Sequence, residues 1–297
     1  MSNNTTQATD YLRFPTTHSD SINHLKLPKC FILGCARQCE SFIDPVFRNI
    51  LTLSQLFSHV CVIVAYDESY DNTLELLHEY KKNCPELCME ILTTDEPLSH
   101  IRTQRISNAR NRLLKCMRSK YSAGWDYFIM MDMDDVCSRP IKPDVIQSYF
   151  ARTDWDALSF NRPDYYDVWA LSFYPFVISC WNWGSEEQCS SVVNQMRREI
   201  KSMLNRISPT SLLECYSAFN GFCIYRYSKF EGCQYDWLTI DLNMLERGAV
   251  VRNIDIVQYQ PQLRPAFDDC EHRAFHRQAI ITHNAKIRIS PKMCFEF

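Results

Sequence analysis

Asp132-Met133-Asp134-Asp135 places three carboxylates within four residues, directly after the apolar run Tyr127-Phe128-Ile129-Met130-Met131. That run is too short for an independent helix and reads as a buried strand, so the acids fall where the strand ends. Ligands of open α/β sheets bind at the carboxyl ends of strands. Carboxylates brought together repel one another, and a hard divalent cation, Mg²⁺ or Mn²⁺, relieves the repulsion and recruits phosphate oxygens. The same tetrapeptide also reads as a solvated acidic turn, because Asp-x-Asp is short and common.

A second acid, Asp67, closes the β-branched run Val60–Tyr66. An acid in that position, ending the second strand of a Rossmann-like unit, can accept hydrogen bonds from a ribose or a base. Asp71 and Asn72 read instead as helix caps, with Glu75 completing a capping box on Asn72. The first apolar run, Cys30–Leu33, leads into Gly34-Cys35-Ala36-Arg37. This is neither a Gly-x-Gly-x-x-Gly nor a Gly-Lys-Ser loop, so phosphate bound here must be met by side-chain charge. Arg37 can supply it. So can Arg105 and Arg112, which are seven residues apart and share a helix face. The neighbouring Arg102 and Arg110 read as a solvated face.

Three late acids, Asp268, Asp269 and Glu271, lie where a helix is expected to start. They are candidates for a general base, and equally for helix caps. Asp164 and Asp167 are weaker candidates. His272 and His276 share a helical face near Cys270, which suits either a zinc site lacking a fourth ligand or plain packing. The stretch Trp169–Trp183 holds six aromatics and no charge. Most of it reads as core, with Trp181 and Trp183 on one face if the segment is extended and able to stack on a sugar. Tyr165, Tyr166, Asp167 and Trp169 fall on the acceptor side by position.

The elements that must hold these residues alternate. Strands are expected at Cys30–Leu33, Val60–Tyr66, Met89–Leu92 and Tyr127–Met131, and helices over Ile43–Phe57, from Asn72, and over Arg102–Lys120. This order implies a mostly parallel sheet flanked by helices. The second half is less regular: strands at Trp155–Phe160, Gly221–Tyr225 and, by its alternation, Ile254–Tyr259, and helices over Gln195–Ile207 and from near Asp269.

The chain has 297 residues, 46% of them hydrophobic and 23% charged, with a net charge of −3. That is the composition of an ordinary soluble globular protein with a sizeable core. The absence of a basic excess argues against a general nucleic-acid binder. Fifteen cysteines form no Cys-x-x-Cys pair, and an odd count precludes complete pairing. Residues 1–25 are polar, lack a signal-peptide core and read as a disordered leader. No stretch is long and apolar enough for a membrane helix. These features favour free thiols and a cytoplasmic location.

The elements Phe31-Ile-Leu-Gly-Cys-Ala-Arg37, Tyr66-Asp67-x-Ser69-x-Asp71-Asn72-Thr73, Ala109-Arg110-Asn111-x-x-Leu114, the acidic strand end and Asp269-Cys270-Glu271-His272 occur in this order. Together they resemble the nucleotide-sugar glycosyltransferases of the GT-A fold, most nearly their soluble viral and microbial branch. The resemblance runs from about Lys29 to the C-terminus. It implies a Rossmann-type α/β fold over residues 26–297, with a nucleotide-sugar-binding half (26–140) and an irregular acceptor-binding half (141–297). It implies Mn²⁺ or Mg²⁺ held by Asp134, with Asp132 on the ribose or the metal shell and a histidine completing that shell. His272 ranks ahead of His276 and His283. Ala36, Arg37, Asp67, Arg105, Arg112, Asp132 and Met133 would contact the donor, a nucleoside-diphosphate sugar. Asp269 or Glu271 would be the base acting on a hydroxyl acceptor such as a glycan, placing the chain in a host cytoplasm if the branch is viral. Two alternatives remain: a sugar nucleotidyltransferase, for which the first loop lacks the glycines, and a non-catalytic glycan-binding protein on the same fold.

Overall fold

The first two strands are uninterrupted apolar runs because both of their faces are covered, which is the signature of a buried parallel sheet. The computed structural model describes residues 27–297 apart from 94–98, 121–123, 239, 241 and 263–267; the expected leader at 1–25 lies outside the described residues. The strands are β1 (Lys29–Ala36), β2 (His59–Tyr66), β3 (Glu90–Leu92), β4 (Tyr127–Asp132), β5 (Ala157–Phe160), β6 (Leu213–Glu214), β7 (Phe222–Arg226) and β8 (Ile287–Ser290). The helices are α1 (Glu40–Ser54), α2 (Thr73–Asn83), α3 (Arg102–Lys120), α4 (Pro143–Gln147), α5 (Glu186–Arg206), α6 (Arg247–Val257) and α7 (Glu271–His283).

All eight strands form one sheet in the order β3-β2-β1-β4-β7-β5-β8-β6. The β3-β2-β1-β4 half is parallel throughout. β7 enters antiparallel between β4 and β5. β8 returns parallel to β5, and the short β6 pairs antiparallel to β8. The less regular second half of the chain therefore completes the sheet begun by the first.

Alternation along β1 divides the core. Phe31 and Leu33 face a layer containing Leu113 and Met117 of α3, Met196 of α5 and Phe275 of α7. Cys30 and Ile32 face the opposite layer, with Phe47 and Ile50 of α1 and Leu77 of α2. Each fully buried side chain of this size contributes roughly 1.5–3 kcal/mol. Among the described residues no helix is long and apolar enough to cross a membrane.

Three local expectations need correction. Ile254–Tyr259 is not a strand but the end of α6, whose buried residues Ala249, Asn253 and Val257 follow a four-residue spacing. The two-residue alternation there spans too few residues to outweigh that stripe. Helix α5 begins at Glu186 rather than near Gln195, started by a capping box between Ser185 and Gln188. The cap of α2 comes from Asp71, whose Oδ1 accepts from Thr73 N at 3.1 Å, while Asn72 Nδ2 donates to Glu40 Oε1 at 2.7 Å. Asp71 Oδ2 also accepts from Glu40 N, so one carboxylate ties the starts of α1 and α2 together.

Candidate active site

The carboxyl ends of β2, β1 and β4 lie side by side, with Ala36 opposite Tyr66 and Cys35 opposite Asp132. Asp67, the Ala36-Arg37 turn and the Asp132–Asp134 loop therefore open into one cleft, roofed by the N-terminal turns of α3. The cleft has two adjoining recesses. One, of about 280 Å³, is lined by Ala36, Arg37, Asp67 and Arg105. The other, of about 110 Å³, is lined by Tyr166, Asp167, Trp169, Phe219 and Glu271. Arg102, Ile106, Arg110, Asp132 and Asp134 line both.

The loop after β4 is held from beneath. Met133 is buried, and a Cβ on Gly34 would sit 2.5 Å from its Sδ, so β1 must carry glycine there for the Met133 side chain to pack. The Met133 side chain thus belongs to the core and not to the cleft. Asp132 N donates to Gly221 O at 2.9 Å. Gly221 has φ +87°, and a Cβ there would strike Val136. Asp134 Oδ1 accepts from Val136 N at 3.1 Å and starts the 3-10 turn 135–137, whose first residue, Asp135, is exposed.

In the larger recess Asp67 Oδ2 stands 3.6 Å from Arg37 Nε and 3.8 Å from Arg105 Nε, and its Oδ1 is buried without a hydrogen-bond partner. Arg112 is not brought here. Its Nη2 donates to Thr93 O, and it lines a separate groove with Lys115 and Arg118. Seven residues of helix amount to roughly 10 Å of rise, which carries Arg112 past the floor of the cleft.

Arg110 is the centre of the site. It is buried, with Phe219 and Tyr235 packed on its guanidinium at 4.8 and 5.7 Å. Its Nη1 donates to Glu271 Oε1 and to His272 Nε2, and its Nη2 lies 3.5 Å from Asp132 Oδ1. The reading of Arg110 as a solvated face is therefore wrong. Its spacing from Ile106 and Leu113, four before and three after, already placed it on the inward stripe of α3. Phe219 carried no signal in the sequence.

His272 lines the smaller recess with Asp132 and Asp134, but its Nε2 faces Arg110. Arginine cannot accept, so the Nε2 lone pair takes the Arg110 hydrogen and the ring is neutral. Burial first, then the Arg110 charge, hold its pKa well below the ordinary value. His276 is buried between Ser217 Oγ (2.9 Å) and Tyr225 OH (3.1 Å), and His283 Nε2 contacts Glu231 O at the far end of α7.

The late acids separate by environment. Asp269 is buried and accepts from Trp169 Nε1, Ser179 Oγ, Cys270 N and Arg273 Nε at 2.7–3.0 Å. It is a structural node behind the cleft. Asp268 accepts from Thr103 Oγ1, and Asp164 is exposed beside Arg162. Glu271 lines the smaller recess but is paired with Arg110. Asp167 lines the same recess, and burial, with Glu271 adding, pushes its pKa up to about 6. Of the aromatics, Tyr166 OH donates to Asp132 Oδ2 at 3.1 Å. Tyr165 and Trp183 are buried, whereas Trp181 is 41% exposed. The chain turns between the two tryptophans, with Asn182 N bonded to Ser179 O, so they do not share a face.

Burial pushes the Asp132 pKa up to about 7, against Arg110 and with the Asp134 and Asp167 charges. Burial also raises that of Asp134, with Asp135 adding to it. Among the described residues no three His, Cys, Asp or Glu side chains form a metal cluster. A hard dication in a phosphate site uses one or two carboxylates and completes its shell with phosphate oxygens and water. Two acids held on one loop, both strained toward protonation, fit that demand, while the His272 Nε2 is occupied by Arg110.

The sequence profile of Glycosyl transferase family 2 matches residues 32–200, more than half of the chain. The chain belongs to glycosyl transferase family 2. Its matched part runs from β1 into α5 and contains every residue lining the larger recess, whereas Glu271 and His272 fall outside it. No curated protein matches the sequence. Solved structures similar to this family 2 chain include the mannosyltransferase PcManGT from Pyrobaculum calidifontis in complex with GDP-Man and Mn²⁺ (12% identity, 71% of this chain and 48% of that one, TM-score 0.40). They also include TarS residues 1–349 from S. aureus (14% identity, 90% and 59%, TM-score 0.44). A third is glucosyl-3-phosphoglycerate synthase from Mycobacterium tuberculosis with Mn²⁺, UDP and glucosyl-3-phosphoglycerate (14% identity, 89% and 84%, TM-score 0.39). The chain spans about half to three-fifths of the length of the first two. Its α/β architecture, an eight-stranded, mostly parallel sheet between helices, is that of GT-A glycosyltransferases.

Proposed function

We propose that this chain transfers a glycosyl group from a nucleoside-diphosphate sugar to an acceptor hydroxyl, with Mn²⁺ or Mg²⁺ held by Asp134 and Asp132. One observation carries the reading: Asp67, the Asp132/Asp134 pair and Arg102, Arg105 and Arg110 of α3 converge at three adjacent parallel strand ends. Residues 26–140 supply the donor side and residues 141–297 most of the acceptor side.

Asp67, with a buried oxygen free to accept, suits the base or ribose of the donor. Arg37 and Arg105 suit its diphosphate. The metal, when bound, acts as a Lewis acid that neutralises charge on the departing diphosphate. Arg110 adds a fixed positive charge at the boundary of the two recesses. We assign the base to Asp167, because Asp269 is saturated by donors and Glu271 is neutralised by Arg110. Asp167 takes the acceptor hydroxyl proton as that oxygen attacks the anomeric carbon and the bond to the diphosphate oxygen breaks. Direct displacement of this kind inverts the anomeric centre.

The test is nucleoside-diphosphate release from a panel of nucleotide sugars with Mn²⁺, compared with Asp134→Ala. Metal-dependent release lost in the variant supports the proposal. Pyrophosphate formed from a sugar phosphate and a nucleoside triphosphate would point to nucleotidyl transfer. Absence of both turnover and nucleotide binding would leave a glycan-binding role.

A further inference from the structure

Behind the cleft, on the other side of α7, lies a second cavity of about 160 Å³. Its walls are largely aliphatic, formed by Val177, Ile240, Leu245, Ile280 and Ile281. It opens to solvent past Tyr216 and Ile281, both exposed. Three charged groups, Glu246, Arg273 and Arg277, break the apolar lining, and Arg273 is already paired with Asp269. Arg277 Nε is buried there without any hydrogen-bond partner, and burial lowers the Arg277 pKa with no acid compensating. A buried donor without a partner is costly, and a native fold seldom leaves one unused. Glu246 also lines the cavity but forms no ion pair with Arg277 among the described contacts.

We propose that this cavity binds an anionic amphiphile: a short aliphatic chain fills the apolar walls and a carboxylate or phosphate pairs with Arg277. The volume suits a chain of about eight carbons or the end of a longer one. The site is linked to the cleft through one residue of α7 and one just before it. Arg273, in the cavity wall, holds Asp269, which in turn holds Trp169 of the acceptor-side recess. Glu271 and His272 stand at the other end of the same two turns.

Binding is measured by isothermal titration with octyl phosphate, octanoate, octanol and octyltrimethylammonium, each below its micellar concentration, so no turnover is needed. The two anions are expected to bind at least about tenfold more tightly than octanol, the gain typical of a hydrogen bond to a charged group. The cation is expected to bind more weakly still. Arg277→Gln should erase the anion preference while leaving octanol binding in place. Ile281→Trp, at a position 64% exposed and so tolerant of bulk, should fill the cavity and abolish binding of all four. Leu245→Trp repeats that test from the opposite wall, with folding of each variant checked by circular dichroism. Equal affinity for all four probes, or anion binding unchanged in Arg277→Gln and both filled variants, would overturn the proposal. A preference for the carboxylate over the phosphate, or the reverse, separates fatty-acid-like from phospholipid-like sources.

Discussion

Asp132 answers to opposing demands. Its backbone is anchored to Gly221, its oxygens face Arg110 and Tyr166, and yet burial favours its neutral form. Its folded pKa of about 7 lies above the ordinary 3.8, so without metal the folded state holds more protons than the unfolded one across that interval. Stability that is full below about pH 4 is therefore lost as pH rises through about 7. Asp132→Asn should remove this loss. The melting temperature of the metal-free variant is expected to exceed that of the wild type at pH 7 and to converge with it near pH 4, while glycosyl transfer falls by about a hundredfold or more. Scanning calorimetry across pH, with Mn²⁺ restoring the wild type at pH 7, checks the sign. Asp167 gives a second titration. If it accepts the proton, kcat/KM rises with pH through a midpoint near 6, and Asp167→Asn flattens the limb and lowers kcat by about 10²–10⁴-fold. A limb that survives the substitution would move the base to Glu271. Asp67, Asp132 and Asp134 were legible in the sequence because a strand-end acid has a predictable position. Asp167 stood only as a weaker candidate, because only folding shows that Arg110 has already claimed Glu271.

Helix α3 shows what periodicity can and cannot carry. Its span, Arg102–Lys120, and its inward stripe follow from spacing alone, but the fate of each arginine depends on distance along the axis. Arg105 reaches Asp67, Arg110 is drawn inward by Glu271, and Arg112 passes beyond the cleft. The Arg110–Glu271 pair is deeply buried, so Arg110→Met leaves a carboxylate without its partner and should cost about 3–5 kcal/mol in urea unfolding. The double variant Arg110→Met/Glu271→Gln should recover part of that loss while remaining inactive. At the opposite side of the sheet, Asp71→Ala frees the amides of both Glu40 and Thr73 and is expected to cost about 1–2 kcal/mol. Equal stability of that variant would mean that Glu40 and Asn72 hold the two helix starts unaided. Helix α6 was misread for the opposite reason: Asn253 is polar, and its burial depends on accepting from Val177 N and Ile178 N, which are remote in sequence.

Across the whole molecule, none of the fifteen cysteines is in a disulfide, and most are core residues. Only Cys88 is exposed, with Cys35 and Cys84 half-buried, and burial pushes the Cys35 thiol up to about 12. A thiol reagent should therefore label one site rapidly in the native protein and fifteen after unfolding, and a reductant should leave the melting temperature unchanged. The parallel half of the sheet was legible because β1, β2 and β4 each carry a continuous apolar run. The antiparallel insertion of β7 between β4 and β5 was not, since pairing partners far apart in sequence leave no periodic trace. That insertion bears on how such a protein can be taken apart. Cutting after the acidic loop would leave β4, apolar on both faces, as a bare edge with no antiparallel neighbour, an invitation to stick to other copies. Residues 26–140 expressed alone should elute from gel filtration as aggregate. The parts of this chain on either side of residue 140 are therefore not interchangeable cassettes, and chimaeras must exchange loops around the sheet while leaving its strands in place.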